Sequence, residues 1–99
     1  MFSHIVIFWT DPNIPEAADE LVAAANEHLR PIPGTLHFHV GKMVASPRPV
    51  VEQSYQVALN IVFPTKQAQH EYQVHPAHIA FIKGVFDKVC RKVVVYDFE

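Results

Sequence analysis

The stretch "FSHIVIFW" at positions 2–9 constrains the fold more than any other segment of the chain. In an extended strand, successive side chains point to opposite faces. Phe2, His4, Val6 and Phe8 then share one face, and Ser3, Ile5, Ile7 and Trp9 share the other. Both faces are apolar. Such a strand belongs in the middle of a sheet and needs a cover on each side. Whatever architecture follows has to supply two covers for one sheet.

The segments that follow supply one of them. Between Ile14 and about Arg30, residues Ala18, Leu21, Val22, Ala25 and Leu29 fall at helical spacing on one stripe. Asn13 is the expected cap, with Glu16 completing a capping box and Pro15 tolerated in the first turn. Pro31, Pro33 and Gly34 end the helix. "TLHFHVGKM" alternates Leu36, Phe38 and Val40 against His37 and His39, a half-buried strand. A proline-rich loop, "VASPRPVVEQ", leads to "SYQVALNIVF". There Tyr55, Val57, Leu59, Ile61 and Phe63 oppose Ser54, Gln56, Ala58, Asn60 and Val62, a smaller and more polar set that suits a wet cavity or plain solvent. Thr65 caps a short helix, "KQAQHEYQV", which Pro76 interrupts. "AHIAFIKGVFDKVC" resumes it, with His78, Phe81, Ile82, Val85, Phe86 and Val89 at helical spacing, and "RKVVVYDFE" closes as a strand.

The order β-α-β-β-α-β predicts a ferredoxin-like α+β fold, a four-stranded antiparallel sheet with helices on one face. Residues 1–99 are expected to form one domain. The first and third strands are central in this plan. Its helices cover one face only, so the second cover for "FSHIVIFW" must come from elsewhere. The simplest source is the same face of a second copy. A homodimer is therefore expected, the two sheets closing into a dimeric α+β barrel around a shared interior. Composition agrees: 49% of the chain is hydrophobic, whereas a domain this short buries only about 60–65% of its unfolded surface by itself.

Several function classes fall away. Net charge is −2 and the eight Lys and Arg are scattered, so no basic patch matches a nucleic-acid backbone. The apolar start meets Asp11-Pro12 after a few residues, which fits neither a signal peptide nor a membrane span. Cys90 is the one cysteine. It can form no internal disulfide, and a reducing cytoplasm suits it. Gly34, Gly41 and Gly84 form no phosphate-cradling loop, no serine sits in a nucleophile elbow, and no cofactor is expected.

Seven histidines remain. His37 and His39 share a strand face but make half a metal site at most. His70, His75 and His78 have no zincin spacing, and Pro76 breaks the helix between them. No metal is expected. His28 lies near a helix C-terminus, where an imidazole answers the dipole. His4 and His78 differ, because both fall in apolar patterns, and the phenol of Tyr72 is close to His78 in sequence. Two readings stay open for them. They are hydrogen-bonded core residues, or they are acid–base groups, with burial holding an imidazole in its neutral, basic form. Spacing alone does not bring position 4 to position 78.

"SHIVIFW" at 3–9, "IPG" at 32–34, "YQVHPAHIAF" at 72–81 and "VVVYDFE" at 93–99 together resemble the stress-responsive A/B-barrel (Dabb) family. The resemblance runs over essentially the whole chain, and Y-x-x-H-P-x-H followed by D-F is its most specific part. It implies a dimeric α+β barrel. Most members have no established reaction, and one plant member is a cofactor-free polyketide cyclase that closes a poly-β-keto chain by intramolecular aldol condensation. Carried over by motif, the resemblance implies His78 as general base, with His4 and Tyr72 orienting a substrate and polarising its oxygens. His75 then stabilises the turn. Val22 and Ala25 stand where the cyclase carries bulky pocket aromatics, so its substrate does not transfer. The resemblance leaves a small ketone-bearing or aromatic ligand with lyase or cyclase chemistry, or a non-catalytic stress or assembly protein with structural histidines. Cofactor-free monooxygenation is a third option, one that needs an electron-rich aromatic substrate.

Overall fold

A computed structural model describes residues 1–99. Four strands form one antiparallel sheet in the order β2-β3-β1-β4: β1 (Phe2–Thr10), β2 (His37–Lys42), β3 (Val57–Phe63) and β4 (Cys90–Phe98). The two-faced strand is central, as its composition requires. Phe2 to Phe8 pair with Phe63 to Val57 on one side, and Ser3 to Trp9 pair with Phe98 to Lys92 on the other.

Helix α1 runs from Ala17 to Ala24 and continues as a wide π turn through Ala25–Leu29, closed by the Arg30 N–H donating to the Ala25 carbonyl at 3.1 Å. The expected cap at Asn13 is not used. Asp11 Oδ1 accepts from the Asn13 N–H at 2.9 Å, and residues 11–16 form turns that deliver the chain to Ala17. Pro12 and Pro15 account for the late start, since each lacks the N–H a helix would use and pushes its predecessor out of helical geometry. After the prolines Gly34 adopts φ 97°, open only to a residue without a Cβ, and turns the chain into β2.

Helix α2 (Lys66–Gln73) starts where expected, with Thr65 Oγ1 accepting from the Ala68 N–H at 3.1 Å. Helix α3 (Pro76–Phe81) continues through a second wide turn, Ile82–Phe86, into a last turn at Asp87–Val89. Cys90 is the first residue of β4, not the end of the helix stripe.

The core lies between the helices and one face of the sheet. Val57, Leu59, Ile61 and Phe63 of β3 and Phe2, Val6 and Phe8 of β1 pack against Leu21, Leu29, Tyr72, Phe81 and Val89. Burial of this apolar surface, at about 25 cal/mol per Å², is the main stabilising term. The other face carries Ile5, Ile7 and Trp9 of β1, Val94, Tyr96 and Phe98 of β4, and the polar His37, His39 and Asn60 toward β2. No element of the chain covers it. Tyr96 and Phe98 remain 59% and 60% exposed.

Candidate functional site

His4 reaches the helix side of the sheet by the period-two alternation of β1. It is the one buried polar residue of the chain, 5% exposed. Register puts it beside Asp97 of β4, and its Nδ1 lies 2.5 Å from Asp97 Oδ1. An ionised carboxylate can only accept, so Nδ1 carries the proton and donates it. That fixes the tautomer and leaves Nε2 as the available nitrogen.

Tyr72 and His78 come from either side of the helix break. Pro76 cannot extend α2 and is well placed in the first turn of α3. His75 caps α3, its Nδ1 accepting from the Ala77 N–H at 3.0 Å, the turn-stabilising role expected for it. The His75 N–H donates to the Tyr72 carbonyl and the His78 N–H to the His75 carbonyl, at 3.2 and 3.0 Å. The break thus hands the site one side chain from the end of α2 and another from the start of α3. Tyr72 stands between the two imidazoles, its ring centroid 5.9 Å from His4 and 5.0 Å from His78, both edge-on. Phe63 backs the phenol at 5.3 Å.

These side chains border a pocket of about 250 Å³ between the sheet and helices α2 and α3. Val6, Phe8, Leu59, Val93, Val95 and Asp97 form its floor, and Leu29, Tyr72, His78, Phe81, Ile82 and Phe86 its roof. Both wide turns supply roof residues, Leu29 from the first and Ile82 and Phe86 from the second, and a π turn is a common means of re-aiming side chains at a site. The helices do not extend over β4, so Val95 remains 48% exposed and the pocket opens along that edge.

Burial, reinforced by the neighbouring His4, holds the His78 imidazole below its ordinary pKa, which keeps it neutral and basic near pH 7. Burial pushes the Tyr72 phenol well above its ordinary value, so it stays a hydrogen-bond donor. No buried side-chain nitrogen or oxygen lacks a partner. The Tyr72 hydroxyl, which pairs with no side chain, therefore gives onto the pocket. A neutral base, a protonated phenol and an imidazole–carboxylate pair can move a proton and steady a developing oxyanion.

His4, Tyr72 and His78 are thus brought together from 74 positions of separation. The remaining histidines do not join them. His37 and His39 lie on the bare sheet face, His70 is exposed on α2, and no group of three His, Cys, Asp or Glu residues is placed to hold a metal. Asp97, which pairs with His4 and lines the pocket, is a residue that sequence reasoning does not single out. Its only signal is the D-F near the end, and its role depends on the β1–β4 register. The hollow also lies elsewhere than the expected interior shared by two sheets: it is within one chain, on the helix side. Val22 and Ala25 pack on the core and do not line it.

The model of the Stress responsive A/B Barrel Domain family matches residues 2–99. The chain belongs to this family. No curated protein matches it. Among solved structures, At3g17210 from Arabidopsis thaliana is 28% identical, with 100% of this chain and 94% of that one covered and a TM-score of 0.79. A dimeric ferredoxin-like protein from Thermobifida fusca is 18% identical, covering 98% and 88% at 0.79. The hydroxynitrile lyase of Passiflora edulis is 20% identical, covering 98% and 90% at 0.75. These likenesses establish the ferredoxin-like α+β fold of this A/B-barrel domain.

Proposed function

We propose that this A/B-barrel domain is a homodimer whose protomers each bind a small, partly apolar carbonyl compound and act on it by cofactor-free His/Tyr acid–base chemistry of the polyketide-cyclase (aldol) type. The observation that carries the reading is the convergence of His4, Tyr72 and His78 on one apolar pocket. Membership of the family and the dimeric neighbour support the assembly, as does the bare apolar face of Ile5, Ile7, Val94, Tyr96 and Phe98.

The step balances without an added oxidant or metal. The His78 imidazole takes a proton from the carbon α to a carbonyl, and the C–H electron pair moves onto the carbonyl oxygen. The Tyr72 O–H donates a hydrogen bond to that oxygen, and the His4–Asp97 pair orients the ligand. The enolate carbon then attacks a second carbonyl carbon, forming the C–C bond, and the new alkoxide takes back the proton from His78. The Passiflora neighbour, a hydroxynitrile lyase, supports this scaffold as one that can host lyase chemistry.

The test is incorporation of solvent deuterium α to the carbonyl of phenylacetone, followed by NMR. The reading expects exchange above the buffer rate and a fall of about 100-fold or more in His78→Ala. Equal exchange by the two proteins defeats it. The His75 cap and the His4–Asp97 pair favour a second reading, a non-catalytic stress or assembly protein with structural histidines. Under it, His4→Ala and His78→Ala both lose stability and neither changes exchange.

A further inference from the structure

The sheet face turned away from the helices changes character from one edge to the other. Across β4 and β1 it is apolar, with Tyr96 beside Ile5 and Val94 beside Ile7. Toward β2 it turns polar. His37 and His39 share this face of the edge strand, and Asn60 of β3 pairs with His39 across the ladder.

These three side chains are free. The histidines with polar side-chain partners are His4, on Asp97, His28, beside Glu27, and His75, on the Ala77 N–H. His37 and His39 therefore keep both ring nitrogens unengaged. Of the asparagine amides, that of Asn26 is taken by Arg30, and that of Asn60 bonds to nothing. No fixed positive charge stands nearby. Lys42 of β2 projects to the other face, its amine 2.8 Å from Asp19. Lys92 lies over Trp9 on the opposite edge strand, three strand spacings or about 14 Å away.

Alternate residues of a strand start about 7 Å apart on one face. Two rings at that spacing converge on one ion by leaning together, each nitrogen coming to about 2.0–2.1 Å from a zinc. Asn60, as the cross-strand neighbour, has its Cβ about 4.5–5.5 Å from that of His39. The His39 ring has room to turn. It leans over Gly41, where a Cβ would lie 3.6 Å from Nε2. Swinging it toward His37 is a rotamer change of an exposed side chain, a ps–ns event that breaks no hydrogen bond.

We propose that His37, His39 and the Asn60 amide oxygen form a site for one divalent cation of borderline softness, with water in the outward position. No third His, Cys, Asp or Glu joins them, so the donor set carries no charge and is rich in imidazole. Such a set suits zinc, nickel or copper and not magnesium or calcium, which favour carboxylate and carbonyl oxygens. The site is separate from the pocket and needs none of its chemistry. It lies on the edge strand, at the rim of the proposed dimer contact and away from its apolar centre.

The experiment titrates the untagged, chelator-stripped chain with zinc chloride and with magnesium chloride by calorimetry, and follows the imidazole C–H signals by NMR. One zinc binds per chain, magnesium gives no heat, and the signals of His37 and His39 move while that of His70, exposed on α2, stays. His37→Gln and His39→Gln each weaken zinc by about tenfold or more, the loss that even an outer-sphere partner causes. His70→Gln leaves the affinity within about twofold. No zinc heat, or an equal loss in all three variants, overturns the site, and the two histidines then serve to keep the edge strand from pairing with another sheet. Asn60→Ala weakens zinc by about threefold or more; unchanged affinity in that variant removes the amide from the donor set.

Discussion

The two faces of β1 alternate along the same eight-residue stretch and have opposite fates. His4, Val6 and Phe8 are buried under helices of their own chain, whereas Ile5, Ile7 and Trp9 stay half-buried on a face that nothing in the chain covers. Both faces are apolar, so hydrophobicity does not distinguish them. What does is the polar residue each holds and how it is satisfied. On the helix side an imidazole is buried and finds a carboxylate across the strand pair. On the bare side the histidines, His37 and His39, are displaced to the exposed edge strand β2. One face holds its imidazole buried and paired with a carboxylate, and the other holds its imidazoles in water. The first suits the proposed site and the second the proposed contact surface.

Changes that break this contrast should differ in kind. The largest effect is expected on the bare face. Ile7→Asp puts an unpaired charge at its centre, which a buried interface does not tolerate, so sedimentation should show a dimer for the native chain and a monomer for the variant. On the helix side Phe63→Ala removes a fully buried ring and should cost about 3–5 kcal/mol in urea denaturation. Tyr72→Phe keeps the packing and deletes the hydroxyl. Deuterium exchange into phenylacetone should slow by about 100-fold, with unfolding free energy changed by less than about 1 kcal/mol. His75→Ala removes a cap and should cost about 1 kcal/mol with little change in exchange. A collapse of exchange in His75→Ala with stability intact would move that residue from scaffold to site.

Most of the fold was legible because its signals are local. The alternation in "FSHIVIFW", the Thr65 cap and the break at Pro76 each depend on a few neighbouring residues. Where the structure departs from expectation, the cause is not local. The register of β1 against β4 decides that Asp97 meets His4, and it depends on the whole sheet. The wide turns at Ala25–Leu29 and Ile82–Phe86 carry no strong sequence mark, yet they aim Leu29 and Phe86 at the pocket. Asn13 has the chemistry of a cap, but Pro15 behind it delays the helix to Ala17. For the hollow, the two-faced strand asks for two covers, but demand for a cover does not say which side is incompletely filled. The helices stop short of β4, and the space is left on their side.

The central claim is that a neutral His78 takes a proton in the pocket. Its most direct test is the pH dependence of deuterium exchange into phenylacetone. Burial disfavours the imidazolium, so the base form should be complete at neutral pH and be lost only as pH falls through a value below the ordinary imidazole pKa of about 6.5. The account predicts a flat rate above that point, a falling acid limb below it, and no such limb in His78→Ala. A limb at or above the ordinary value, or one that survives in His78→Ala, would contradict it.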